Sequence, residues 1–364
     1  TSQPLGAGAV LKAWADIVAA TSTALYSQDW GIDFPALAEA VTNYVSVRAY
    51  DLTGKTTTYY DAFHVLKDTS TPAITDNQPD DSWRFADPGA VYDVDFADAG
   101  GSKLNRAQYS ISSNPVLADG GVKSWTDIAV NISSNGYDQN WAVDFAAERA
   151  GINYVSVRVY DDAGNYAQQN DIFTVSKDTA SPVITDNQAG DNVWRASAGT
   201  LYNVDFADAL SGLTTAQYRV TSQSGQAGAV FKDWTDIYSI TAGTAAYTDD
   251  WLVDFAALQE WATGYVSVRA YDLVGKLSVS TDVFHVWKDT TPPAASVAVF
   301  SVSSRTLTLS GSGSDLSSGV RDYHFEISPA DDFSSDVSSN AYAASDTAVF
   351  ADMPEAVVYY GRLK

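Results

Sequence analysis

The chain reads as an all-β protein built of tandem two-sheet sandwiches, and three observations in its 364 residues lead there. A long segment repeats: NYVSVRAYDLTGK at 43–55 returns as NYVSVRVYDDAGN at 153–165 and as GYVSVRAYDLVGK at 264–276, a spacing of about 110 residues. That is the size of a whole small β domain and too long for a solenoid unit. Within each repeat, short β-branched and aromatic runs alternate with Gly, Asp, Ser and Asn turns roughly every 8–12 residues. The composition, 45% hydrophobic and 12% aromatic, supplies the packed cores such units need.

The same spacing relates KDTSTPAITDNQPDDSW (67–83) to KDTASPVITDNQAGDNVW (177–194), YDVDFADA to YNVDFADA, and Trp14 to Trp125 and Trp234. Four segments are expected: 1–67 as the C-terminal part of a repeat, 68–177 and 178–289 as complete repeats, and 290–364 as a diverged relative. Because Thr1-Ser2-Gln3 aligns with Thr221-Ser222-Gln223, the first segment is expected to start inside a unit, and VVYYGRLK is expected to stop before a terminal strand. In 178–289, strands are predicted near 182–186, 200–207, 214–222, 230–239, 248–255, 264–271 and 277–287, with a helical turn in FAALQEWATG. Alternation in YVSVRAY places Val266, Val268 and Ala270 on the core face and Tyr265, Ser267, Arg269 and Tyr271 on the other.

The motifs SGLTTAQYRV, KDWTDI, WLVDFAAL, GYVSVRAYD and the DTTPP junction at 289–293 resemble the bacterial Ig-like and fibronectin type III repeats strung together in large surface proteins. The last segment, with SDLSSGVRDYHFEIS, is closer to the fibronectin type III branch. The resemblance implies an extracellular, cell-surface, non-catalytic stalk or fibre segment of an adhesin or surface-layer protein. Its partners would be neighbouring domains of the same longer chain, with self-assembly or a surface glycan as further options. The same modules also serve as accessory or carbohydrate-binding parts of secreted hydrolases, which is the alternative reading.

Composition excludes several classes. The net charge of −24, from 21 basic against 45 acidic residues, argues against nucleic acid, because phosphate contacts need clustered Lys and Arg. No window approaches the ~20 apolar residues of a membrane-spanning helix, so this segment is not expected to insert directly into a membrane. Cysteine is absent, which removes disulfides and thiol chemistry.

Catalysis finds little support in the motifs. His64 and His285 share a repeat position at which the middle copy has Thr174, and His324 is isolated, so a conserved general base is not expected. Trp14, Trp125, Trp234, Trp30, Trp141 and Trp251 recur at fixed strand positions and read as core or inter-sheet residues. Trp261 and Trp287, without a tryptophan counterpart in the middle repeat, read as exposed. Lys67, Lys177 and Lys288 recur after the last strand and read as solvated lysines beside Asp68, Asp178 and Asp289. A Lys to Asn crosslink there would require a buried acid.

The acids are mostly aspartate, since only Glu39, Glu148, Glu260, Glu326 and Glu355 are glutamate. Aspartate is a turn former and a compact oxygen ligand for hard cations. In an Ig-like array the lower pole of one unit meets the upper pole of the next. The junction of the two complete repeats is therefore expected to gather Asp178, Asp208 and Asp272, with Asp76, Asp80 and Asp81 from the preceding unit. Several converging oxygens suit calcium better than zinc or magnesium. The competing expectation is that each aspartate caps its own turn.

Overall fold

The computed structural model describes residues 1–19, 21–79, 82–118, 120–188 and 193–364. It divides into two compact units, Thr1–Ala180 and Ser181–Lys364.

In the first unit, a five-stranded sheet runs in the order Trp83–Arg84, Tyr166–Lys177, Gly151–Asp161, Leu104–Ser112 and Lys123–Ser134. A three-stranded sheet of Ala73–Asp76, Val94–Ala97 and Gly136–Tyr137 closes over it. Alternation explains the core: Val155, Val157 and Val159 are fully buried, as are Leu104, Ala107 and Ile111 on the neighbouring strand, and Val94, Phe96 and Phe173 pack against them. The chain switches sheets early. Ala73–Asp76 pairs antiparallel with Val94–Ala97, whereas Trp83–Arg84 pairs in parallel with Ser176–Lys177.

The second unit repeats this plan with Trp194–Arg195, Leu277–Lys288, Thr263–Asp272, Leu213–Gln223 and Ala227–Thr244 in one sheet and Val183–Asp186, Val204–Ala207 and Ala246–Tyr247 opposite. Val266, Val268 and Ala270 are fully buried, as their alternation predicts. The expected helical turn is the short 3-10 helix Phe255–Ala257, with the Asp254 side chain accepting from the Ala257 amide. A smaller core follows in the same unit. Ala294–Ser303, Thr306–Ser314 and Thr347–Phe350 form one sheet, Ser338–Ser339, Phe325–Ser328 and Tyr360–Leu363 another, and Leu309, Phe325 and Ile327 are buried between them.

Residues 1–67 hold only one antiparallel pair, Thr42–Tyr50 with Thr56–Leu66, among the described residues. Thr1 exchanges backbone hydrogen bonds with Tyr44, at 2.8 Å and 3.0 Å. This is the pairing that Thr221 makes with Tyr265 in the complete repeat.

Two expectations need correction. Trp14, Trp125 and Trp234 are not core residues: each stacks against the guanidinium of Arg48, Arg158 or Arg269, at 4.2, 4.3 and 4.3 Å. Tyr50, Tyr160 and Tyr271 flank the same guanidinium groups. Only Trp141 and Trp251 are buried; Trp30 is 38% exposed. The recurring lysines are also not solvated. Lys177 Nζ donates to the Phe145 and Glu148 carbonyls, Lys288 Nζ to Leu258, and Lys67 Nζ to Leu37, so each lysine ties its strand to the carbonyls around the preceding turn.

Candidate functional site

Asp68, Asp98 and Asp161 offer carboxylate oxygens that all lie within 4.8 Å of one another. Three elements deliver them. Asp68 follows the strand Thr56–Leu66, Asp98 follows Val94–Ala97, and Asp161 ends Gly151–Asp161. Asp98 and Asp161 are buried and Asp68 is half-buried.

Backbone amides fix each carboxylate. Asp68 accepts from Ser70 N at 3.0 Å and Ser102 N at 2.9 Å, and Asp98 from Gly100 N at 2.9 Å and Lys103 N at 2.8 Å. Asp161 accepts from Asn165 N and Asn165 Nδ2, both at 2.8 Å, and the same Asn165 amide reaches the Asp68 carbonyl at 3.2 Å. Burial pushes the Asp68 carboxyl up, but hydrogen bonding by Ser102 and Ser70 outweighs it and holds the group below its ordinary value. A Cβ at Gly100 would overlap the Asp68 carboxylate, so a glycine there is what lets the loop after Asp98 close on Asp68. Each oxygen keeps a lone pair beyond the one its amide uses. Three carboxylates at this spacing make a hard, anionic oxygen cage whose chemistry suits a calcium ion.

Asp208 and Asp272 lie in the second unit and are buried. Asp208 accepts from Leu210 N at 3.1 Å and Gly212 N at 2.8 Å, and Asp272 from Lys276 N at 2.7 Å. Asp178 belongs to the first unit, fully buried, with its amide on the Arg84 carbonyl at 2.9 Å and its carboxylate accepting from Ala180 N. Asp76 ends Ala73–Asp76 and caps Gln78 N at 2.9 Å, an ordinary turn role outside the Asp68 group. Asp80 and Asp81 lie outside the described residues. The triad Asp68, Asp98 and Asp161 was legible in principle, since the repeat spacing carries Asp178, Asp208 and Asp272 onto it.

Asp289 repeats the position of Asp68 with a different shell. The side chains of Ser317, Ser318 and Thr291 hold its carboxyl far below the usual range, and Thr291 N and Ser318 N donate to it at 3.1 and 3.2 Å.

One buried acid escaped the sequence reading. Glu148 is 5% exposed, and neither carboxylate oxygen has a hydrogen-bond partner among the described residues. Burial pushes its pKa up to about 7, with Lys177 and Arg84 pulling it down and Asp87 and Asp144 pushing it further up. Two histidines pack against rings: His285 stands 5.3 Å from Trp287 and 6.3 Å from Tyr265, and His324 stacks on Tyr342 at 4.3 Å. Trp261 is exposed as expected, whereas Trp287 is half-buried against Trp194, 5.3 Å away.

No family model and no curated protein matches the chain. Among solved structures, it is similar to a tetra-tandem repeat in the extending region of a large adhesion protein, at 16% identity over 90% of this chain and 77% of that one, with a TM-score of 0.33. A 1.5-MDa bacterial ice-binding adhesin, described for its host cell surface retention, matches at 16% identity over 76% of this chain and 86% of that one, TM-score 0.33. The fibronectin(III)-like modules of Clostridium thermocellum CbhA match at 11% identity over 60% of this chain and 94% of that one, TM-score 0.23. From its own strand order, register and buried faces, the chain is a tandem series of immunoglobulin-like and fibronectin type III-like β-sandwiches.

Proposed function

We propose that this chain is a non-catalytic spacer in an extracellular surface protein, a stalk or fibre segment whose repeats hold other domains at a distance and are stiffened by calcium. The observation that carries the reading is the origin of the three acids: Asp68 leaves one repeat, and Asp98 and Asp161 belong to the next. A cation held by all three would clamp the end of one repeat to the head of its neighbour. Without it, carboxylates this close repel one another. The architecture supports the same reading, being sandwich after sandwich with short Pro-containing links at Pro72, Pro182 and Pro292-Pro293. No helix among the described residues is long and apolar enough to cross a membrane.

The test is calorimetry of the full chain in calcium and in chelator. Calcium at about a hundred times its dissociation constant should add roughly 2.7 kcal/mol to the stability of the unit that binds it. Asp161→Asn should remove most of that gain. Identical melting in calcium and chelator would make the triad a set of turn caps and leave the spacer reading without its clamp.

A further inference from the structure

The last strands of the two complete repeats bury the same core, Phe173 and Val175 in one and Phe284 and Val286 in the other. On the opposite face, by alternation, they differ. Where the first has Thr174 and Ser176, the second has His285 and Trp287. Those two rings complete a row. Trp287 pairs in parallel with Trp194, whose ring is 5.3 Å away. His285 stands 5.3 Å from Trp287, and Tyr265, its cross-strand partner, lies 6.3 Å beyond. All four are half-buried, so each keeps part of its surface in water.

Trp261 stands at the end of this row, in the position of Ala40 and Ala150. Its amide donates to the Lys288 carbonyl at 3.1 Å, one residue beyond Trp287, as the Ala40 amide does to Lys67 at 2.9 Å. The fold holds both at positive φ, 62° and 60°, a conformation that disfavours a bulky side chain. Packing does not offset that cost, because Trp261 is 56% exposed. Its Nε1 donates to Thr291 Oγ1 at 3.2 Å, which fixes the indole without covering it. The ions bordering the site are paired with each other: Lys288 lies 3.4 Å from Glu260, which also accepts from Thr290 N and Oγ1 at 2.9 and 2.7 Å. The surface therefore offers rings and oxygen acceptors rather than net charge.

We propose that the Trp261 and Trp287 end of this repeat is a carbohydrate-binding site that takes a neutral sugar chain. A pyranose ring has a face of C–H groups and an edge of hydroxyls. The C–H face stacks on an indole, and the hydroxyls donate to oxygens at the rim, among them those of Glu260 and Thr291; amphipathic rings suit a partner that is apolar on one side and wet on the other. Charge selects the same class, since a chain of net charge −24 repels polyanions. An extended peptide would dock by its backbone on an open strand edge. No such edge exists beside Trp287, because Leu277–Lys288 is flanked there by Trp194–Arg195 and by Thr263–Asp272. The site adds a grip to the spacer and is independent of the Asp68 group.

The test titrates the full chain with cellohexaose, maltohexaose and xylohexaose, and with alginate as the anionic control, following tryptophan emission and calorimetric heat. Saturable one-to-one binding of at least one neutral hexasaccharide is expected, equal in calcium and in chelator. Trp261→Ala, and His285→Thr combined with Trp287→Ser, install residues that the other repeats carry at these positions, so the fold is retained and unchanged melting confirms it. Each should weaken binding about tenfold, whereas Trp125→Ala, in the first unit, should leave it unchanged. Silence of all three neutral probes would overturn the proposal, as would affinity undiminished in both variants. Binding of alginate alone would overturn it too, by making the partner an anion. None of these results bears on the spacer reading, which stands or falls on melting in calcium.

Discussion

Glu148 occupies the place of Leu258: in both repeats the lysine at the end of the last strand donates to this residue's carbonyl, at 3.1 Å from Lys177 and 3.0 Å from Lys288. A carboxyl therefore sits where the sister repeat buries a leucine. Its folded pKa, raised to about 7, lies above the unfolded value near 4.5. The protonated form is thus the one the fold tolerates. Stability is complete below about pH 4.5 and falls as the pH rises through about 7, by an amount on the order of 2–3 kcal/mol for a shift of this size. Glu148→Leu should abolish that pH dependence and raise stability at pH 8 by a similar amount, as read from urea denaturation at pH 5 and pH 8. A variant no more stable than the parent at pH 8 would mean that the carboxyl reaches water or a partner when ionised. Sequence alone hid this because Glu148 follows Ala146-Ala147 in a turn, where an exposed acid is the ordinary outcome.

The strands show what a pattern can and cannot encode. Leu213–Gln223 and Thr263–Asp272 match their predicted spans to within a residue or so, because period-two alternation and turn residues mark both ends. Trp125 and Trp234 misled for a physical reason. Their strands pair with register shifts at several points, among them Tyr109/Ile111 and Tyr218/Val220, and each shift moves side chains to the other face, so recurrence no longer means burial. The outer stacks carry a prediction of their own. Arg269→Ala removes the guanidinium between Trp234 and Tyr271 and its hydrogen bond to Gln217. A loss of about 1 kcal/mol is expected, with red-shifted tryptophan emission; an unchanged spectrum would show the stack to be incidental. Gly100→Ala, in the loop that closes on Asp68, should cost about 1–3 kcal/mol and should also reduce the stabilisation by calcium.

At the scale of the whole chain, the repeats are alike in plan and differ in what they bury, a carboxyl at Glu148 against a leucine at Leu258. The sandwich holding Glu148 and the one holding Leu258 should melt as separate transitions at pH 8 and draw together near pH 5, where the buried carboxyl is protonated. Calorimetry at the two pH values checks this; one coincident transition at both would place the difference below what burial of a charge implies. The acidic site was legible in the sequence as a kind of site, and the repeat spacing carries the expected Asp178, Asp208 and Asp272 onto Asp68, Asp98 and Asp161. The poles of a sandwich follow from its topology, whereas the convergence of Asp68, Asp98 and Asp161 depends on a loop that only a glycine permits.

The parallel pairing of Trp83–Arg84 with Ser176–Lys177, repeated by Trp194–Arg195 with Trp287–Lys288, matters when the chain is pulled from its two ends. Each pair joins an early strand of a sandwich to its last, and tension drags the two in opposite directions along their own length. Their bonds, and those from the Asp178 and Asp289 amides to the Arg84 and Arg195 carbonyls, are then sheared together instead of peeled one at a time. A sandwich tied in this way holds its length up to a threshold force and then gives way at once, so a string of them under flow would extend in discrete steps.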